Sequence, residues 1–404
     1  MDTALRQGPA AGTERPAEWS EYDDPETGAT VTRLTDTADS GNWHLYFTEN
    51  GWDDGGRRLL IQSDRMGSRQ LHSVDLETGE ITQLTDLPHP IDGVTRAGER
   101  ALFWCGDRLA VLELDSLRVR ELYERPEGYG GSHTAGTADG ERVVVAIAAE
   151  TEFNREFENR GAWIKARMDA NPHSQIISVP IAGGEPTVHV EDERWLNHVN
   201  ASPTRPDLVT YCEEGPWEAV DRIRVLDLAS GEQWRARPTD EGEAVGHEYW
   251  LADGEHVGYH GWRGTRDEPD PFFGRVRYDG TDRREWPAPD LYTHVHSNGP
   301  ERVVCDGTHR GAPFDLLWER REEDGGDGGS EEYAGPWKLA HHGWESDDDA
   351  HPHSRLSPDD SQVVFDASED DADAGSDVYL VEVPDDVTEL PRFDLEGFEP
   401  ATDR

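Results

Sequence analysis

The chain is short of lysine, cysteine and long apolar runs, and each shortage excludes something. Lys165 and Lys338 are its only lysines; the rest of its 38 basic side chains are arginine, set against 86 Asp and Glu for a formal net charge of −48. Nucleic acid and anionic membranes are poor partners for such a surface, because phosphate binding needs clustered Lys and Arg. The acid is spread along the whole chain rather than gathered in a tail. That distribution is expected of a protein living in concentrated salt, where ions screen the self-repulsion. Cys105, Cys212 and Cys305 are few and far apart, which excludes a disulfide framework or a cysteine-based zinc module. No run approaches the length of a membrane span. Met1 to Trp19 has no apolar stretch of the kind that marks a signal peptide. A soluble cytoplasmic protein is the expectation.

Aromatic residues are present in number: 14 Trp, 11 Tyr and 10 Phe build a core although only 34% of the chain is hydrophobic. The 404 residues suit one large repeat architecture. Residues 1–20 read as a flexible leader, 21–395 as a single domain and 396–404 as a tail. Within the domain a unit recurs: an alternating strand, a tight Gly- or Asp-containing turn, and another strand. Leu71 to Leu84, Leu109 to Tyr123, Ile176 to Val190, Ile223 to Ala236 and Val276 to Trp286 are copies. Each follows another strand pair, at Tyr46 to Ser63, Ile91 to Cys105, Ser132 to Ala148, Leu196 to Cys212, Gly246 to His260, Thr293 to Asp306 and His351 to Phe365. About seven units of four short strands predict an all-β, seven-bladed β-propeller. Pro25 to Thr35 has the form of an outer hairpin without inner strands, and the last unit lacks an outer strand. The N-terminal strand is therefore expected to close the last blade and remove an exposed edge. Three stretches break the repeat: Glu150 to His173, which suits a helical excursion; Trp262 to Phe273, expected as a loop; and Glu319 to Tyr333, acid- and glycine-rich and expected to be disordered.

His351-Pro352-His353 puts two imidazoles on one face of an extended strand, with Asp348 three residues upstream. These are ligand types of a divalent transition-metal site. Counted to the following turn, His133, His198, His247 and His353 occupy one register of the repeat, with His44, His294, His296 and His351 near it. The first strand of each propeller blade lines the central axis, so these residues are expected to converge at one end of the channel. Such histidines can hold a metal, act as a general base near neutral pH, or simply brace their blades. Arg222 and Arg224 are expected to alternate to the same face, suited either to ion pairing with the abundant acid or to carboxylate recognition.

Taken together, these stretches resemble the oligogalacturonate lyases, seven-bladed propellers that use a manganese-type ion to cleave short uronate oligomers by β-elimination. The matching stretches are Gly28 to Thr35, Gly128-Tyr129-Gly130, Trp195-Leu196-x-His198, Cys212-x-Glu214-Gly215-Pro216, Glu241-Gly242-Glu243 followed by His247-Glu248-Tyr249-Trp250, Thr293-His294-x-x-Ser297-Asn298, and His351-Pro352-His353. The resemblance implies metal ligands at His294, His351 and His353. It implies a fourth at Asp348, where the family has glutamine. It implies a catalytic base at His247 and an essential arginine at Arg222, with Arg224 as the alternative. His198, His133, His44 and Arg224 are the candidate substrate contacts, for a uronate oligosaccharide. Glu213 stands where the family often has histidine. The rival reading is a non-catalytic propeller that binds sugar or protein. The propeller part of a peptidase is a weaker fit, because no Gly-x-Ser-x-Gly nucleophile motif is present.

Overall fold

A computed structural model describes residues 5–37, 40–53, 55–153, 155–266, 268–308, 312–321, 331–343, 351–368 and 375–395. Seven sheets follow one another along the chain, the middle five each built from four consecutive strands in chain order. The second contains Ile91–Ala97, Arg100–Cys105, Arg108–Glu113 and Arg118–Glu124; the third Tyr129–Gly136, Arg142–Ala149, Ser174–Pro180 and Thr187–Asp192. The fourth contains Leu196–Ala201, Leu208–Glu213, Ile223–Asp227 and Gln233–Arg237; the fifth Glu243–Trp250, His256–Gly264, Pro269–Arg277 and Arg284–Pro287. The sixth contains Tyr292–His296, Arg302–Thr308, Phe314–Arg321 and Glu332–His341. This is a seven-bladed β-propeller.

The first and last blades carry an extra strand each. In the last, Arg355–Leu356, Gln362–Ser368 and Ser376–Glu382 are completed by Thr30–Arg33 and Ser20–Asp23, with Val31 opposite Val381. The N-terminal segment thus closes the last blade, as its pattern predicts. Arg33 and Thr35 both bond to the Asp377 carboxylate, tying this union with side chains as well as backbone. The first blade contains Asn42–His44, Arg58–Ser63, Gln70–Asp75 and Ile81–Gln83, and Glu14–Arg15 adds a fifth strand against Ile81–Gln83. Residues expected to be a loose leader are therefore partly anchored, and Gln7 bonds to the backbone of Asp86 and Leu117.

Two other expectations change. The first blade's inner strand lies at Asn42–His44, upstream of Tyr46, because residues after it turn away before Trp52 bridges to Leu59. Trp262 to Phe273 is largely strand, continuing His256–Gly264 and opening Pro269–Arg277. The excursion before the second strand pair of the third blade is helical: α1, Arg160–Asp169, starts at Asn159, whose side chain caps the Ala162 amide. Residues 322–330 of the acidic stretch, Asp348, and the tail 396–404 lie outside the described residues.

The chain falls into two compact units, Met1–Pro9 with Asp86–Glu268 and Arg275–Arg284, and Ala10–Thr85 with Pro269–Gly274 and Glu285–Arg404. Each has its own apolar core between neighbouring sheets. In the first, Leu102, Leu109, Val143, Val145, Ile177 and Val179 pack together. In the second, Val304, Leu317, Trp337, Leu356, Phe365 and Val381 do. Burying a Val, Leu, Ile or Phe side chain is worth about 1.5–3 kcal/mol, so these contacts set the blade spacing.

Candidate active site

The strands that open the blades carry most of the candidate histidines, and a shared irregularity positions several of them. In the fifth blade Gly246 pairs with His260 and Tyr249 with Gly258, so His247 and Glu248 together oppose a single residue. This is a β-bulge, which bends the strand and re-aims a side chain. The fourth blade repeats it, with His198 and Val199 between the Asn197–Cys212 and Asn200–Thr210 pairs. The seventh does so too, with His353 and Ser354 between the Pro352–Asp366 backbone bond and the Arg355–Val364 pair. His198, His247 and His353 take the first bulge position and all have left-handed backbone, at φ 42°, 50° and 50°. In the second blade Gly93, at φ 60°, fills that position. Non-glycine residues in this region are uncommon and strained, and such strain clusters at functional sites.

The register expected for His133 is corrected by one place. Ser132 holds the first bulge position of the third blade and His133 the second. Counting back from the turn misplaces it because the strand between bulge and turn is one residue longer there, Thr134 to Thr137 against Tyr249 to Leu251. His133 still stacks on His198, with ring centroids 5.5 Å apart. Burial, reinforced by His198, holds His133 neutral with a pKa of about 4.

In the first unit these residues form one bonded cluster. Arg222 is 2% exposed. Its Nη1 donates to Glu214 Oε1 at 2.7 Å and its Nε to Glu248 Oε2 at 3.1 Å. Its Nη2 takes no bond from the described residues, leaving one edge of the guanidinium for a ligand. Burial disfavours the charge, but Cys212, Glu214 and Glu248 outweigh it and keep Arg222 cationic. Glu214 also lies 3.3 Å from His198 Nε2. Arg224 sits elsewhere: its Nη2 bonds Glu213 at 2.6 Å, as does Arg194 at 2.7 Å. The expected common face fails because strand geometry begins only at Ile223, so alternation does not carry back to Arg222.

His247 Nδ1 lies 3.2 Å from His260 Nε2. When Nδ1–H donates, the His247 Nε2 keeps a lone pair, the form a general base needs. Trp217 packs edge-on to His247 at 4.8 Å and stacks on Trp262 at 5.7 Å. Gly246 makes room for it, since a Cβ there would fall 2.4 Å from the Trp217 ring.

In the second unit His294, His351 and His353 are brought together. Their ring centroids are 4.6 Å (His294–His353), 5.6 Å (His351–His353) and 6.3 Å (His294–His351) apart. Rings sharing one ion at about 2.1 Å from nitrogen would have centroids roughly 5 Å apart. Among the described residues no three donors already surround one point, so closing on an ion takes rotation of these side chains. The donor set otherwise fits. Asp306 Oδ2 accepts from His294 Nδ1 at 2.8 Å, which turns Nε2 outward in the way metal-binding histidines are commonly braced. Burial would raise Asp306, but His294 beside it keeps its carboxyl below the usual range. Tyr46 and Phe47 pack against the same rings.

His44 is a correction. It is 4% exposed, and its Nε2 donates to the Pro352 carbonyl at 3.0 Å. Burial lowers its pKa to about 4. The ring braces the turn between His351 and His353 and does not serve as a substrate contact. His296 is likewise buried, its Nδ1 accepting from the Leu356 amide. Sequence reading missed Asp306, His260, Trp217 and the roles of Glu214 and Glu248. The last two lie inside quoted motifs, Cys-x-Glu-Gly-Pro and His-Glu-Tyr-Trp.

Comparison with known proteins bears on the family and the fold. A family profile described as oligogalacturonate lyase matches residues 10–315. The oligogalacturonide lyase of Pectobacterium atrosepticum is 25% identical over 398 residues, 94% of this chain and 99% of that protein. The oligogalacturonate lyase of Dickeya dadantii is 25% identical over 389 residues, 91% of this chain and 96% of that protein. A solved oligogalacturonate lyase in complex with manganese has the same fold, with a TM-score of 0.78 at 24% identity over 94% of this chain and all (100%) of that one. The chain belongs to the oligogalacturonate lyase family.

Proposed function

We propose that this protein cleaves short oligogalacturonides by metal-dependent β-elimination, leaving 4,5-unsaturated uronates. The grouping of His294, His351 and His353, with His294 oriented by Asp306, carries the reading. These three imidazoles would hold a divalent ion, Mn2+ by the precedent of the solved relative, and Asp348 is proposed as a fourth ligand. Bound there, such an ion supplies Lewis-acid neutralisation of the uronate carboxylate, which otherwise makes the C5 proton very weakly acidic.

The chain's own residues account for the remaining steps. His247, held by His260 and Trp217, takes the C5 proton on Nε2. Such general-base help is typically worth about 10²–10⁴-fold. Arg222 keeps its charge while buried and presents Nη2 to the enolate charge that develops as the C5 proton leaves, after which the C4–O4 bond breaks. His198 and His133 are proposed as sugar contacts; Arg224 is proposed only as support for Glu213.

The test is incubation with digalacturonate and Mn2+ in molar salt, followed by ultraviolet absorbance of the unsaturated product. Absence of product across several uronate oligomers, with no metal retained by elemental analysis, would leave the binding-module reading in its place.

The acidic, lysine-poor surface supports a further part of the reading: a salt-adapted, cytoplasmic enzyme. None of the described helices is long and apolar enough to cross a membrane. Melting temperature and turnover should both rise between low and molar KCl.

A further inference from the structure

Two part-buried arginines of the first unit, Arg167 and Arg125, depart from the pattern set by its other part-buried arginines. Arg222, Arg194 and Arg224 each bond to carboxylates. Arg167 and Arg125 have no hydrogen bond or ion pair from the described residues through their guanidinium groups, and the Arg167 Nε is buried without an acceptor. In a chain with 86 acidic residues, partners for an arginine are easily found.

Both guanidinium groups are held by tryptophan instead. Arg167, on α1, lies 4.5 Å over Trp195 and 5.6 Å over Trp163, whose rings meet at 5.7 Å. Arg125 lies 5.0 Å over Trp104, which is fixed by a 2.9 Å bond from Nε1 to the Ser132 carbonyl. Stacking holds the plane of a guanidinium and leaves its N–H edges for a planar, bidentate acceptor such as a carboxylate.

The two groups stand on opposite faces of one strand, and only Arg167 lines a recess. A Cβ on Gly130 would lie 3.9 Å from Arg167 Nη2, and a Cβ on Gly131 2.7 Å from Arg125 Nη1. Gly130, Gly131, Ser132, Arg167, Trp195 and Asn197 line a recess of about 200 Å³. Pockets that enclose a whole ligand run to roughly 300–1,000 Å³, so this one suits one end of a longer molecule. It also adjoins the catalytic cluster: Asn197 Nδ2 donates to Glu214 Oε2 at 3.3 Å, and Glu214 bonds Arg222. Burial lowers the Arg167 pKa, the mark of a cation short of solvation.

We propose that Arg167, stacked on Trp195 in this recess, forms a subsite that grips the carboxylate of a second uronate residue, beside the one undergoing elimination. The proposal rests on the lyase reading above. The subsite sets which glycosidic bond is presented and makes the enzyme favour acidic oligomers over partly esterified ones.

The test uses the full chain at fixed salt, with Arg167→Gln, Arg125→Gln and Arg167→Lys, each checked by circular dichroism. For digalacturonate, KM should rise about 10- to 150-fold in Arg167→Gln, as expected for losing hydrogen bonds to a charged group, with kcat little changed. Calorimetric affinity for digalacturonate in chelator-treated protein should weaken by the same factor, and Arg167→Lys should recover only part of it. Digalacturonate esterified at the remote carboxylate should be a poor ligand for the wild type and carry no added penalty in Arg167→Gln. Unchanged KM and affinity in Arg167→Gln, with an active wild type, overturn the subsite and leave the lyase reading standing; Arg125→Gln, on the other face of the strand, is the control. A wild type without turnover that still binds digalacturonate through Arg167 overturns the lyase reading and leaves the subsite. Neither turnover nor binding overturns both.

Discussion

Asp306 receives both the backbone amide and the ring Nδ1–H of His294, at 2.6 and 2.8 Å. One buried carboxylate thereby fixes the position and the tautomer of a proposed metal ligand. Asp306→Asn should therefore weaken Mn2+ binding by about 10- to 100-fold, the usual cost of losing such a brace. Calorimetric titration of metal-free protein measures it; an unchanged affinity would remove His294 from the ligand set.

His247→Ala should lower kcat by about 10²–10⁴-fold while Mn2+ affinity stays within a factor of two or so. Single-turnover absorbance and metal titration separate the two effects. Turnover that survives the substitution would mean another residue takes the proton.

The two arginines of the Arg222-Ile223-Arg224 stretch should part in function. Arg222→Ala removes the buried cation between Glu214 and Glu248, and turnover should be abolished. Arg224→Ala breaks an ion pair with Glu213, which Arg194 also holds, and should leave turnover within a few-fold. The reverse pattern would transfer the role to Arg224.

Glu214→Gln should destabilise the protein by about 3–5 kcal/mol at neutral pH, because it leaves buried Arg222 short of a partner. Burial alone would raise Glu214, but Arg222 and His198 hold its carboxyl well below the usual range. A depressed folded-state pKa means stabilisation that is present above the unfolded value of about 4.3 and lost as pH falls through the folded one. The gap between wild type and variant should then narrow as pH drops below about 4. Glu248, pushed up by burial, works in the opposite sense. Urea midpoints across pH report the balance. A gap that does not narrow in acid contradicts the assignment.

Removing residues 1–35 strips two strands from the last blade and bares the edge of Ser376–Glu382. The truncated chain should aggregate or lose its cooperative transition. Sedimentation and thermal melts decide this; a soluble chain with unchanged melting would show that these strands are dispensable.

The blades were legible because a strand's alternation is local: Leu71 to Leu84 shows two strands and a turn without reference to anything distant. The closure was legible for a related reason, since Thr30–Arg33 is an outer strand with no inner partners and Ser376–Glu382 an inner one with no outer cover. The anchoring of Glu14–Arg15 was not, because two residues carry no period. The bulges were not legible either. A bulge is a mismatch between two paired strands, and neither strand records it alone; hence the misplacement of His133 by one position.

What the sequence determined by itself was the repeat and the family, and through that resemblance the residues proposed for the site: His294, His351 and His353 for a metal, His247 for a base, Arg222 for an anion. The tertiary structure decided which of the other candidates serve as supports. It turned His44 from a sugar contact into a brace for Pro352 and separated Arg224 from Arg222. It also set the partners of Asp306 and Glu214 and left Arg167 and Arg125 without a carboxylate hydrogen-bonded to them among the described residues. The reason is physical. Residue type fixes what chemistry a side chain can do, but a hydrogen bond or ion pair needs an oriented partner within about 3 Å. That partner comes from a strand or loop whose approach is set by packing between blades, not by neighbours in the chain.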